Sequence, residues 1–109
     1  MKKHFIQAIS FFLTAWLMGC GGKPEATPKL YTVTISQMQF RPSEIKVAKG
    51  DTVLFKNEDM VAHNVVESSS KKWSSAPLST GQSWKLVVNR SADYYCSVHP
   101  VMKGKIVVE

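Results

Sequence analysis

Apolar side chains recur at every second position from Tyr31 onward, and no later stretch carries a helical period. Tyr31, Val33 and Ile35 share one face, with Thr32, Thr34 and Ser36 on the other. Ile45 and Val47 flank Lys46. Val53 and Phe55 alternate with Leu54 and Lys56, and Trp84, Leu86 and Val88 with Lys85. His63–Glu67 is a short β-branched run, Tyr94–Cys96 a short aromatic one, and Ile106–Glu109 closes the chain. Turn signals separate these runs: Arg41-Pro42-Ser43, Lys49-Gly50-Asp51 and Asn57-Glu58-Asp59. Side chains that alternate in and out suit a half-buried strand. The pattern predicts seven short strands and an all-β antiparallel sandwich or barrel. Ser68–Gly81 is polar and lacks period; it holds Trp73 and Pro77 and receives no strand.

The first twenty residues follow other rules. MKKHFIQAISFFLTAWLMGC opens with Lys2 and Lys3, continues as an apolar run from Phe5 to Met18, and ends in small residues. That is the plan of a secretory signal peptide, and the run is short for a membrane span. Leu17-Met18-Gly19-Cys20 resembles a bacterial lipobox. The expectation is a signal peptide over 1–19, a lipidated Cys20, a Gly- and Pro-rich flexible tether over 20–29, and a domain over 30–109. The protein is then exported, to the periplasm or cell surface, as a membrane-anchored lipoprotein. Removing residues 1–19 leaves twelve basic against eight acidic residues, a net +4. The lysines are scattered and not clustered with aromatics, which argues against nucleic acid.

Lipidation of Cys20 leaves Cys96 as the one cysteine of the domain, with no disulfide to form. A lone thiol in an oxidising compartment calls for burial or a bound partner. Cys96, His99 and Met102 stand at steps of three in YYCSVHPVMKGKIVVE. Pro100 works against a helix there, so the segment reads as a loop joining the last two strands, curled so that the three side chains converge. Thiolate, imidazole and thioether form a soft set that selects copper, whereas zinc prefers four firm ligands. A copper site of this kind needs a second imidazole. His63 is the only other histidine after residue 20.

The chain resembles the cupredoxins, the small blue copper proteins that include plastocyanin, pseudoazurin and amicyanin. The resemblance rests on AKGDTVLFKN, on HNV at His63–Val65 and on YYCSVHPVMKGKIVVE. The two-residue spacing between His99 and Met102 is similar to that of amicyanins. It implies a Greek-key β-sandwich of seven to eight strands holding one type 1 copper. It implies His63, Cys96 and His99 as equatorial ligands and Met102 as the axial one. Asn64 and Ser97 become the residues that tie the ligand segments together and orient the thiolate. Ala62 departs from the proline that amicyanins tend to carry there, and Ser68–Gly81 shows little likeness.

The implied function is carriage of single electrons between redox partners outside the cytoplasm, without enzymatic turnover. A c-type cytochrome, an oxidase or a dehydrogenase is the expected kind of partner, and a monomer the expected state. Val98, Pro100 and Val101, joined by Met60 and Val61, would form an apolar collar around His99, suited to a brief redox contact. The alternative is a copper carrier or binding module with the same ligands. A nitrite reductase fragment fails on size and on the lack of ligands for a second copper. Trp73 and Trp84 read as packing residues, Trp73 as cover for an edge.

Overall fold

The computed structural model describes residues 27–109; the expected signal peptide, Cys20 and most of the expected tether lie outside the described residues. Eight strands follow in order: β1 (Leu30–Ser36), β2 (Gln39–Arg41), β3 (Glu44–Val47), β4 (Thr52–Asn57), β5 (Val66–Glu67), β6 (Ser83–Val87), β7 (Ala92–Cys96) and β8 (His99–Val108). They form two four-stranded sheets, ordered β2-β1-β4-β6 and β3-β8-β7-β5. The expected all-β sandwich is present, with no helix among the described residues.

One feature differs from the sequence expectation. The sandwich is mixed rather than antiparallel, because β1 pairs parallel to β4 and β3 parallel to β8. Parallel neighbours come from distant chain segments, so no local turn signal announces them. The eight strands fall within the seven to eight that the resemblance implies; alternation alone reads seven, because it does not mark β2. That strand folds back on β1 through Gln37-Met38, both with positive φ (52° and 60°), the geometry of a type I′ hairpin turn. Such turns favour Asn and Gly, and neither residue is there.

The alternation builds the core as read. Val33, Ile35, Val53 and Phe55 of the first sheet and Ile45, Val47, Tyr94 and Ile106 of the second are buried against one another. Tyr94 stands at the centre, edge-on to Phe40 at 4.8 Å and to Phe55 at 5.2 Å between ring centroids. Edge-to-face pairs of this kind add to the roughly 1.5–3 kcal/mol from burying a side chain such as Phe55. Trp73 does more than cover an edge: it stacks at 5.9 Å on Trp84 and reaches Tyr94. The hydroxyl end of the Tyr94 ring also packs against Gly104, where an added Cβ would run into it, so only glycine lets β8 pass this close.

The two sheets give the domain two poles. β1 and β4 run together from Leu30 and Thr52 to Ile35 and Asn57. The chain leaving β4 leads to His63, and β7 ends at Cys96 beside it. All the ligand candidates therefore gather at the pole where β1, β4 and β7 end.

Candidate metal centre

Asn57 closes β4 with its side chain turned inward, fully buried, where the sequence suggested a turn residue. Its amide donates to the carbonyls of Val61 and Leu78, and its Oδ1 accepts from the Asp59 N–H. These bonds shape the loop that carries His63. Paired bonds with Leu78 (N–H to carbonyl at 3.1 and 2.7 Å) then hold His63 in place. Ser75 accepts from the Val65 N–H at 2.9 Å. The unassigned segment 68–81 thus forms the floor under the His63–Glu67 stretch, of which only Val66–Glu67 is regular strand.

Cys96 ends β7, fully buried. Only Ser97 and Val98 form the turn; His99 already opens β8 and pairs with Cys96. The ligand segment is therefore not a free loop between strands, which corrects that expectation. Tyr95 pairs with Lys103 while Cys96 pairs with His99, so Pro100, Val101 and Met102 bulge out of the ladder. A bulge re-aims side chains and bends its strand. It also accommodates Pro100, which has no N–H to give a ladder.

This geometry brings one donor atom each of His63, Cys96 and His99 within 4.8 Å of one another. The Nδ1 of His63 lies 3.7 Å from Cys96 Sγ, and the two imidazoles are 4.9 Å apart between centroids. Met102 follows on β8, buried in the same core cluster as Cys96. His99 is the most exposed of the four, yet its Nδ1 is buried and has no hydrogen-bond partner among the described residues. A buried imidazole nitrogen with no protein partner, next to a thiol and a second imidazole, is placed to serve as a metal donor.

The sequence profile described as "Copper binding proteins, plastocyanin/azurin family" matches residues 28–109. The chain belongs to this family. Among similar proteins, "Amicyanin-alpha" of Methylorubrum extorquens is 34% identical over 83 residues, covering 71% of this chain and 70% of that protein. "Amicyanin" of Paracoccus denitrificans is 32% identical over 83 residues, and the chain spans 63% of its length. Among solved structures, a reduced tryptophan-to-tyrosine mutant of amicyanin superposes with TM-score 0.70 at 30% identity, over 78% of this chain and 87% of that one. The copper-containing nitrite reductase of Thermus scotoductus gives 0.68 at 28% identity, but over only 24% of that chain.

The donors of this plastocyanin/azurin family member fit copper chemically: two imidazoles, a thiol and a thioether form the soft set that copper takes. Around them, Asn64 spans the two ligand segments. Its side chain donates to Ser97 Oγ and accepts from the Ser97 N–H, both at 2.7 Å, and its own N–H points at Cys96 Sγ at 3.4 Å.

Asp59 was missed. Its carboxylate accepts from the His63 Nε2–H at 2.8 Å and from the N–H groups of Gln37 (2.6 Å) and Met38 (2.9 Å). Two successive N–H groups with positive φ make a nest for an anion. This explains why Gln-Met tolerates a type I′ turn, and it leaves the His63 Nδ1 free to face Cys96. Burial acts to raise the Asp59 pKa, but the Met38 and Gln37 amides and then His63 outweigh it, and the carboxyl is held below its ordinary value. No local motif marks Asp59; the only signal was an acidic residue four positions before a candidate ligand.

Proposed function

We propose that this chain is a type 1 copper protein that carries single electrons between redox proteins outside the cytoplasm, tied to a membrane through a lipidated Cys20. The observation that carries this reading is the convergence of His63, Cys96 and His99 donors within 4.8 Å, with Met102 buried in the same core. Copper, when bound, supplies the one-electron couple.

The residues divide the remaining work. His63 and Cys96 are both fully buried, which excludes water from the thiolate and keeps the imidazole fixed. Asp59 holds the His63 ring, and Asn64 locks the His63 segment to the Ser97 turn. Donors held by protein bonds have little room to move between oxidation states, so the reorganisation cost is low. Met102 would lend its thioether as the weaker donor to copper, and with the Asn64 N–H at the Cys96 sulfur it would tune the potential.

His99 is the route in and out. It is the only one of the four that reaches the surface, and Met60 (95% exposed), Val101 (87%), Val98 and Val61 stand exposed near this pole. An apolar rim around a redox-active imidazole suits a short-lived contact with a cytochrome, oxidase or dehydrogenase. Burial of three donors argues against ready copper release, and so against a carrier.

Repeated chemical oxidation and reduction of the copper-loaded protein, with copper content measured at each cycle, tests this. The electron-carrier reading expects the metal to stay at one per chain through many cycles. Loss of copper to a competing chelator at each reduction would instead establish a copper carrier.

A further inference from the structure

The described chain enters the sandwich at the pole far from the ligands. The Lys29 N–H donates to Asp51 Oδ1 at 2.9 Å, and the Lys29 carbonyl accepts from the Thr52 N–H at 2.9 Å. The chain is therefore pinned from Lys29 onward, beside the Lys49-Gly50-Asp51 turn. From there β1 runs toward the metal pole, a rise of about 20 Å over Leu30–Ser36. β8 covers a similar span in reverse, from His99 to Val108.

This far pole has its own chemistry. Leu30, Thr52 and Val87 lie side by side across the first sheet, and Leu30 and Val87 are each 58% exposed. Lys29, Lys49 and Arg90 are exposed around them. Arg90 belongs here because Val88 bonds to both Gly50 and Asp51, and Ser91 to Val108. Of the acidic groups at this end, Asp51 is buried on two backbone N–H groups, Glu67 is buried with its carboxylate accepting from the Ser70 N–H, Glu109 is paired with Lys46 at 3.9 Å, and Asp93 is exposed on β7 opposite Lys105. Two apolar side chains within three basic ones match the boundary between anionic headgroups and acyl chains.

We propose that this pole rests on an anionic lipid surface and that the copper pole faces away from it. The inference depends on the reading of Cys20 as the lipid-bearing residue. The nine residues from Gly21 to Lys29 span at most about 30 Å when fully extended. With the metal pole about 20 Å or more from Lys29, an inverted domain would stretch that segment beyond its relaxed reach of roughly 15–18 Å, at a cost in chain entropy. The upright arrangement needs none of this and places the basic residues where the lipid charge is.

The arrangement specifies the redox partner. His99 and its apolar rim sit a domain's height above the bilayer. A quinone dissolved in the membrane does not reach them. The partner is a water-soluble protein or a domain standing clear of the membrane.

The test uses the full mature chain, loaded with Cu(I), on phosphatidylglycerol-containing nanodiscs doped with a gadolinium-chelate lipid. Its intact mass is measured first. Amide NMR signals of Lys49, Val87 and Arg90 are expected to lose several-fold more intensity than those of Met60, Val98 and Val101. Equal losses, or greater losses at Met60 and Val101, would overturn the orientation while leaving the anchor intact. A mature mass without lipid would overturn the anchor, and the orientation with it. In the K49E/R90E double variant the contrast should shrink; an unchanged contrast would overturn the headgroup contact.

Discussion

Each pole of the sandwich is pinned by one aspartate, and the two do different things. Asp51 accepts from the N–H groups of Lys29 and Ala48, both at 2.9 Å, and so closes the turn where the chain enters. Asp59 makes the same kind of pair with Gln37 and Met38, then adds a third bond to His63. Both carboxyls are held below their ordinary value, Asp51 chiefly by the Lys29 and then the Ala48 amide. The chemistry is shared; only the third acceptor contact differs. At one end a carboxylate serves the fold alone, and at the other the same device is coupled to a metal ligand.

The comparison can be broken most severely at the site pole. Cys96→Ser removes the thiolate and should abolish essentially all intense visible absorption of the Cu(II) protein, while the domain stays folded. Persistent blue colour would show that the ligand set is misassigned.

Next in size is a change between the poles. Gly104→Ala places a methyl group into the Tyr94 ring. Overpacking of this kind costs about 1–3 kcal/mol, occasionally more. Urea unfolding should show that loss in the apoprotein, which separates it from any effect on copper. An unchanged midpoint would mean that Tyr94 does not hold the position described.

The two aspartates then separate the poles directly. Asp59→Asn should weaken copper binding by roughly 10–100-fold, as loss of a partner to a ligand imidazole commonly does. It should also raise the reduction potential, since a negative charge beside His63 favours the more positive metal state. Asp51→Asn should leave copper affinity and potential unchanged. Its effect should appear in the acid limb of stability. Because the folded-state pKa of Asp51 is depressed, its contribution is complete above the ordinary value of 3.8 and fades as pH falls through the lower, folded-state value. The variant should lose stability near neutral pH and show a flatter decline below pH 4. Equal effects of both substitutions on the potential would erase the distinction between the poles.

The sequence was most legible where the signal was local. Alternation picked out Val33, Ile35, Val53 and Phe55 because one face of each strand is buried. The Cys96-His99-Met102 spacing with His63 pointed to copper because few soft donors were present. What escaped was non-local. β2 depends on a Gln37-Met38 turn that is favoured only once Asp59, more than twenty residues away, fills its nest. The parallel pairings of β1 with β4 and β3 with β8 leave no mark on neighbouring residues. Asn57 resembled a turn residue, and only the fold turns its amide inward to two carbonyls. The ligand segment was expected to curl as a loop. It curls instead as a bulge in β8, because His99 already pairs with Cys96.

The most direct test of the central claim is the visible and EPR spectrum of the purified protein after addition of one equivalent of Cu(II). The account predicts an intense blue thiolate-to-copper band with narrow copper hyperfine splitting, arising from the buried Cys96 between His63 and His99. A folded protein giving a pale, ordinary Cu(II) spectrum would contradict it.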